Sequence, residues 1–338
     1  MKPRLEISFS WAQKRAFLFG TPYVPERDEF LLNHARSGIL LALKALQLPT
    51  GSGVGVMVYN CHTVMNAIDQ AGCKPVFLDV DDDLTLDLAD LQKKVEGISA
   101  IVVTHLFGIV NDVKKIKELY PHLRIIEDCA HAYGIDQFYG DFATFSIGQG
   151  KLPSIGDGGI LKVINSQYKS IVAGLYDSLP GYTAFQNVKL FLKLSMMSFM
   201  HNRYLYGWVT LPLKRRRSVP SGKESILSHK MSCRISSVYA RVKESVSEMI
   251  ERRQRNAKTL ILSQPAVVKH SMIGRNAFML ILTCQDPELV KESFLRQGVD
   301  TDTHFAHSIH WAREFGYVQG QCPNAEKLVN HLLMVPIY

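Results

Sequence analysis

The chain has 338 residues, of which 46% are apolar and 21% charged, and a formal net charge of +8. That length suits one large domain with a smaller one, and the composition excludes disordered and fibrous classes. No uncharged apolar run of about 18 residues occurs, and the N-terminal residues carry an acid and lack an apolar core. Neither a membrane span nor a signal peptide is expected. The six cysteines, Cys61, Cys73, Cys129, Cys233, Cys284 and Cys322, form no Cys-x-x-Cys pair and have no zinc-type spacing with histidine. They read as reduced thiols of a cytoplasmic protein, and no metal site is expected. The basic excess favours anionic partners. Its sharpest run, Lys214–Arg217, reads as a solvated loop, and without a nucleic-acid motif no nucleic-acid partner is expected.

In chain order, Ser37–Leu48 has apolar residues at helical spacing without Gly or Pro and reads as a buried helix. Val54–Tyr59 reads as a strand, and Val64–Gln70 as a helix closed by Ala71-Gly72. Pro75–Val80 is a strand running into acids, Leu88–Val95 a helix, Ala100–His105 a strand and Val113–Leu119 a helix. Arg124–Asp128, Phe142–Ser146 and Gly159–Val163 complete the strands of the first half. These strands are continuous apolar runs alternating with helices. The pattern predicts an α/β fold with a mostly parallel sheet covered on both faces. Such sheets bind ligands at the carboxyl ends of their strands. Asp128, His105 and Cys61-His62 all fall there and can share one crevice.

After about residue 165 the texture changes. Tyr182–Thr210 is rich in Phe, Leu, Met and Tyr. A long amphipathic helix is predicted over Ile235–Ala257, then strand–loop–helix between Met272 and Val299. The expected division is a large domain over residues 1–230, including a hydrophobic and basic segment at 182–217, and a small α+β C-terminal domain over 231–338.

The densest chemistry lies in Ile126-Glu-Asp128-Cys-Ala-His131 and in the loop from Phe145-Ser146 through Lys151 to Gly158-Gly159. An acid after a strand often serves a metal, a ribose or a helix cap, and a loop lysine is usually a surface residue. The joint pattern is more specific. A pyridoxal phosphate (PLP) site needs a carboxylate for the pyridine nitrogen, a lysine to carry the cofactor as a Schiff base, and hydroxyl and backbone N–H groups for the phosphate. Twenty-three positions separate Asp128 from Lys151, enough to cross one strand and return to the same sheet edge.

Four segments in order resemble the DegT/DnrJ/EryC1/StrS family of PLP-dependent sugar aminotransferases. They are Ala71-Gly72-Cys-Lys-Pro75-Val-Phe-Leu-Asp79-Val-Asp81, His105-Leu-Phe-Gly108, Glu127-Asp128-Cys-Ala-His131-Ala-Tyr-Gly134, and Phe145-Ser146-Ile followed by Lys151 and Gly156-Asp-Gly-Gly159. The similarity runs from His34 to Val163 and resumes faintly at Met231–Val242 and Pro323–Ile337. It implies the aspartate-aminotransferase-like fold type I and, residue by residue, a site. Lys151 would hold the cofactor and move the substrate proton, a role that needs a neutral amine. Asp128 would face the pyridine nitrogen. Ser146 and the N-terminus of the Ser37 helix would hold the phosphate, and His131 would lie beside the ring. An aromatic group is expected over the ring. Cys61 occupies that position, so His62 next to it is the expected stacking group. Arg36 stands where the family's phosphate turn has threonine, with Ser37 beside it; its guanidinium can pair with phosphate directly or point outward. Arg234 alone survives of a segment that reaches the partner subunit's site. His304 and His310 fall where the small domain approaches the active site. The asparagine that follows the family's lysine is Leu152 here. Family members that dehydrate the sugar carry His at the lysine position, so Lys151 implies amino transfer.

The resemblance thus implies a homodimeric, cytoplasmic transaminase. It would act on a nucleotide-linked keto-sugar for a surface polysaccharide or a glycosylated metabolite, with glutamate or glutamine as donor. The altered phosphate turn and the lost asparagine leave a second reading open, an inactive member serving as a binding, regulatory or membrane-associated partner. The stretch 185–217 runs apolar, aromatic, then basic, the order of an interfacial helix at an anionic membrane. A helix buried in a dimer interface or against the sheet is the expected role, and peripheral contact with the inner face of the membrane is the alternative.

Overall fold

The computed structural model describes residues 1–214, 221–262, 268–303 and 305–338. Its centre is a seven-stranded sheet of β1 (Glu29–Leu32), β2 (Gly53–Met57), β3 (Lys74–Leu78), β4 (Ala100–Thr104), β5 (Arg124–Asp128), β6 (Phe142–Ser146) and β7 (Gly159–Val163). The spatial order is β1-β7-β6-β5-β4-β2-β3. Pairing is parallel from β3 through β6, while β7 runs antiparallel to both of its neighbours. Every residue of β4 and β6 is buried, as expected of apolar strands with helices on both faces.

The helices of this half are α1 (Trp11–Phe19), α2 (Ala35–Ala45), α3 (His62–Gln70), α4 (Leu88–Lys94), α5 (Val113–Leu119), α6 (Lys169–Asp177), α7 (Ala184–Met200) and the short α8 (Leu211–Lys214). α2 buries nine of its eleven residues, so almost no side of it meets water. On the other face of the sheet, Phe9 and Phe17 pack with Phe145, Ile160 and the apolar side of α9 (Cys233–Lys243). α7 starts with a capping box: Thr183 accepts from the Gln186 N–H while the Gln186 side chain returns to the Thr183 N–H.

One helix was expected over Ile235–Ala257. The chain instead breaks between α9 and α10 (Val246–Leu262). Both the N–H and the hydroxyl of Ser245 turn back to the Val242 carbonyl, at 3.0 and 2.9 Å, which ends the helical ladder without Gly or Pro. The second sheet, β10-β9-β8, is antiparallel and built from β8 (Val268–Ile273), β9 (Leu280–Cys284) and β10 (Leu332–Val335). α11 (Pro287–Arg296) covers it, and α12 (Ser308–Arg313) and α13 (Pro323–Leu328) complete the C-terminal region.

Six of the seven central strands point the same way. The carboxyl ends of β2, β4, β5 and β6 therefore open on one side. The β6–β7 loop, residues 147–158, carries Lys151 back over that edge and ends in a tight glycine turn. Gly156 and Gly158 adopt φ of +102° and +114°. A Cβ at Gly159 would collide with the His34 carbonyl and the Ala35 nitrogen. This close approach is what seats the start of α2 beside the loop.

Candidate active site

An open cleft of about 360 Å³ lies at these strand ends. Asp128, His131, Ser146, Lys151, Arg36 and Cys61 all line it. Consecutive β5 residues point to opposite faces, and this separates the two acids of the Glu127-Asp128 pair. Glu127 turns away: its Oε1 accepts from the Tyr139 and Gly140 N–H groups, both at 2.7 Å. Its Oε2 lies 3.1 Å from His105 Nε2. His105 Nδ1 accepts from the Asn111 N–H at 3.1 Å, so Nε2 carries the hydrogen toward Glu127. His105 is fully buried and does not reach the cleft, contrary to the crevice expected from strand ends alone.

Asp128 faces the cleft at 3% exposure. Its hydrogen-bond donors are neutral: the Ala130 N–H at 3.0 Å and the Thr104 hydroxyl at 3.2 Å. Burial pushes its carboxyl above the usual range, opposed by the Ala130 N–H, the Lys151 charge and Thr104. A buried carboxylate in that condition gains by meeting a cation. The register of β4 and β5 sets Thr104 directly opposite Asp128. Thr104 Oγ1 in turn accepts from Asn60 Nδ2 at 2.8 Å, and Asn60 Oδ1 accepts from the Cys61 N–H at 2.8 Å. An unbroken chain, Asn60 to Thr104 to Asp128, thus fixes the acid. Neither Asn60 nor Thr104 was singled out from sequence, although both lie at the ends of predicted strands. Thr104→Val removes the hydroxyl and keeps the shape. Loss of a hydrogen bond to a charged acceptor is worth about 1.5–3 kcal/mol. We expect kcat about tenfold lower or worse in a steady-state assay, with the fold intact by circular dichroism.

Burial lowers the Lys151 amine below its ordinary range, with Cys61 and Asp128 pulling it back. Its Nζ stands 5.8 Å from the centre of the Phe278 ring. His131 is held face-on by aromatic rings, stacked on Phe278 at 4.5 Å and 14° and on Phe305 at 5.7 Å and 15°. Its Nδ1 accepts from the Phe107 N–H at 3.3 Å. Phe278 and Phe305 come from the C-terminal region, and nothing in their local sequence marks them as part of the site. At the other end, Ser146 Oγ accepts from the Gly148 N–H at 3.3 Å, which leaves its own hydrogen to donate. His34 provides no side-chain cap to α2, so the first-turn N–H groups at Ala35 and Arg36 are left to the cleft they line.

Other sequence candidates are placed differently. Ser37 is fully buried and donates to Asn33 Oδ1 at 2.8 Å rather than facing the cleft. His62 does not line the cleft; its ring packs on Trp311 at 4.7 Å, and its Nε2 stands 3.6 Å from Glu224. Cys61 does line it, accepting from the Thr63 hydroxyl at 3.2 Å. Burial raises that thiol, but the neighbouring His62 and Thr63 outweigh burial and bring it below its usual range. Arg36 shares its guanidinium with Glu224 at 3.2 Å while lining the cleft. Arg234 donates to the Leu18 carbonyl at 2.8 Å and does not line its own chain's cleft. His304 and residues 215–217 of the basic run lie outside the described residues. Lys193 of α7, read from sequence only as part of a basic helix face, lines the cleft.

A buried acid whose direct hydrogen-bond partners are neutral, a lysine of lowered basicity, a hydroxyl with its hydrogen left to donate and an uncapped helix start surround one space. Together they fit PLP: Asp128 for the ring nitrogen, Lys151 for the covalent link, Ser146 and the start of α2 for the phosphate. The DegT/DnrJ/EryC1/StrS aminotransferase family model matches residues 23–179.

Over these residues the chain is similar to this family. An uncharacterized protein of Methanocaldococcus jannaschii is 22% identical, over 94% of this chain and 82% of its own length. UDP-N-acetyl-3-dehydro-alpha-D-glucosamine 3-aminotransferase of Acidithiobacillus ferrooxidans is 32% identical, over 40% of each chain. This chain thus spans less than half of that curated relative. Among solved structures, Escherichia coli GDP-4-keto-6-deoxy-D-mannose-3-dehydratase with bound hydrated PLP aligns at a TM-score of 0.73. It is 14% identical, with 100% of this chain and 95% of the other covered. The architecture is the PLP-dependent transferase fold of these structures, with its mostly parallel central sheet.

Proposed function

We propose that this chain is a PLP-dependent aminotransferase acting on a nucleotide-linked keto-sugar, with glutamate or glutamine as amino donor. The observation that carries the reading is the convergence of Lys151 and Asp128 on one cleft, each altering the other's basicity. The fold alone does not separate amino transfer from dehydration, since the fold neighbour above is a dehydratase. Lys151 argues for transfer, because the dehydrating members of the resembled family carry His there.

PLP, when bound, supplies an electron sink and a carrier for nitrogen between two half-reactions. The chain's own residues do the rest. Asp128 holds positive charge on the ring nitrogen, with Thr104 and Asn60 keeping it in place. Lys151 Nζ, made less basic by burial, accepts the proton from the substrate carbon and returns it at the other end of the transfer. His131, clamped between phenylalanines, supports the ring. Ser146 and the α2 N–H groups anchor the phosphate, with the Arg36 guanidinium close by. Lys193 stands at the cleft as a cation for the substrate's phosphates. As part of this reading the chain works as a homodimer whose Arg234 serves the partner's cleft, in an amino-sugar pathway for surface polysaccharide.

The deciding experiment is a spectrum of the purified protein. The reading predicts a visible cofactor band that borohydride bleaches and glutamate or glutamine shifts, and that keto-sugar nucleotides restore. A protein reconstituted with PLP that shows no such band would favour the binding or regulatory reading instead. Light scattering that gives one chain for the active species would remove the dimer.

A further inference from the structure

α7 presents three sides. One belongs to the cleft: Lys193 lines it, Leu194 packs against Gly156, and Met197 Sδ accepts from Gln149 Nε2 at 3.0 Å. A second rests on α1, where Phe191 meets Phe9 and Phe17 at 5.6 and 5.5 Å and Ser198 Oγ accepts from the Phe9 N–H at 2.9 Å. The third carries Phe185, Val188, Leu192, Met196 and Phe199 at successive spacings of three and four, each 57–67% exposed. Single exposed apolar residues are ordinary, but a full row along 17 residues of helix is not. α1 adds Trp11 and Phe19 at 86% and 80% exposure, and the chain beyond α7 adds Trp208 at 86%.

The charge on these elements has one sign. No Asp or Glu occurs between Asp177 and Glu224, an interval with eight Lys or Arg residues, nor between Glu6 and Glu26, where Lys14 and Arg15 lie. The cations sit at the edge of the apolar row: Lys189 Nζ is 4.4 Å from the Phe185 ring and Lys14 Nζ 5.4 Å from the Trp11 ring. A second copy seated on the row about a two-fold axis would set these cations against themselves, with no carboxylate of either helix to answer them. An anionic lipid layer answers both the charge and the apolar row, and Trp beside such a helix suits the headgroup region. No described helix is long and apolar enough to cross a membrane, so the contact is made from one side.

We propose that the α7 row, with α1 and Trp208, docks on an anionic membrane surface and holds the cleft mouth beside the bilayer. The test is co-sedimentation of the full-length protein, without substrate, with vesicles of phosphatidylcholine alone or mixed with phosphatidylglycerol. Binding is expected on the mixed vesicles, weak on the neutral ones, and reduced by salt. Leu192→Glu with Met196→Glu should lower it more than tenfold while leaving the cofactor band unchanged. Lys189→Gln should lower it about fivefold, from about 1 kcal/mol per basic residue near the surface. No sedimentation with mixed vesicles, equal binding to neutral ones, or unaltered binding of the double variant each overturns the proposal. So does a double variant whose mass falls from two chains to one in a protein that binds no vesicles, since a second copy would then cover the row. Failure here leaves the aminotransferase reading standing, because the assay involves no turnover.

Discussion

Lys151→Ala is expected to lower kcat by at least about 10⁴-fold and to erase the visible cofactor band. The substitution removes both the covalent tether and the proton-transfer base, and positioned acid–base catalysis alone is worth about 10²–10⁴. The fold should survive. Lys151 sits on an open cleft with its amine over the Phe278 ring. Burial has already lowered its folded pKa. A lowered amine pKa means that the charged form costs stability below that pKa, so removing it is neutral or slightly stabilising at neutral pH. Lys151→Arg provides the control. It keeps a cation but offers no neutral amine at any working pH, and it should be as inactive as alanine. Activity of the arginine variant within tenfold of the parent would show that position 151 supplies charge and not a base. Partial rescue of the alanine variant by small primary amines would tie the loss to the missing amine itself.

Much of the central sheet was legible in the sequence because its inner strands are wholly or almost wholly buried. An apolar β-branched run such as Ala100–Thr104 can be read without knowing its neighbours. The elements that escaped notice are short or lie outside the main sheet. β1 has four residues and is held by its pairing to β7. α1 buries only Phe17, so its sequence carries little periodicity. The break between α9 and α10 depends on Ser245 turning back to Val242, a choice of hydrogen bond that composition does not encode. At the site, Asp128, Ser146 and Lys151 were visible because one strand and one loop carry them. Side chains contributed by distant segments were not. Phe305 reaches His131 from the C-terminal region, and Lys193 arrives on a helix whose sequence reads as an apolar segment with a basic face. His105 and Ser37 were plausible by position, and side-chain direction removed both. His105 follows Glu127 to the far face, and Ser37 bonds within its own helix start.

Asp128→Asn should separate the role of charge from that of shape. Asparagine is close in size, and its one carbonyl oxygen can keep the Ala130 N–H bond made to Oδ1, while its amide NH2 replaces the Oδ2 that accepts from the Thr104 hydroxyl. What it loses is the negative charge that favours a proton on the pyridine nitrogen. Removing one preorganised electrostatic partner costs about 10²–10³ in kcat, and a drop of that size is expected, with the cofactor still bound through Lys151. Stability should move the other way in the protein without cofactor. Burial raises the folded pKa of Asp128, so its ionised form costs stability once pH exceeds that pKa, and the cost disappears as pH falls below the unfolded value. The apo variant should therefore be at least as stable as the apo parent at neutral pH, with the two converging in acid. With PLP added, the order reverses, since only the parent gains an ion pair on binding. The measurement is a set of four melting curves, parent and variant with and without cofactor, at neutral and acid pH. Equal cofactor-induced shifts in the two proteins, or an apo variant markedly less stable than its parent, would show that the carboxylate props up the fold and does not wait for a cation.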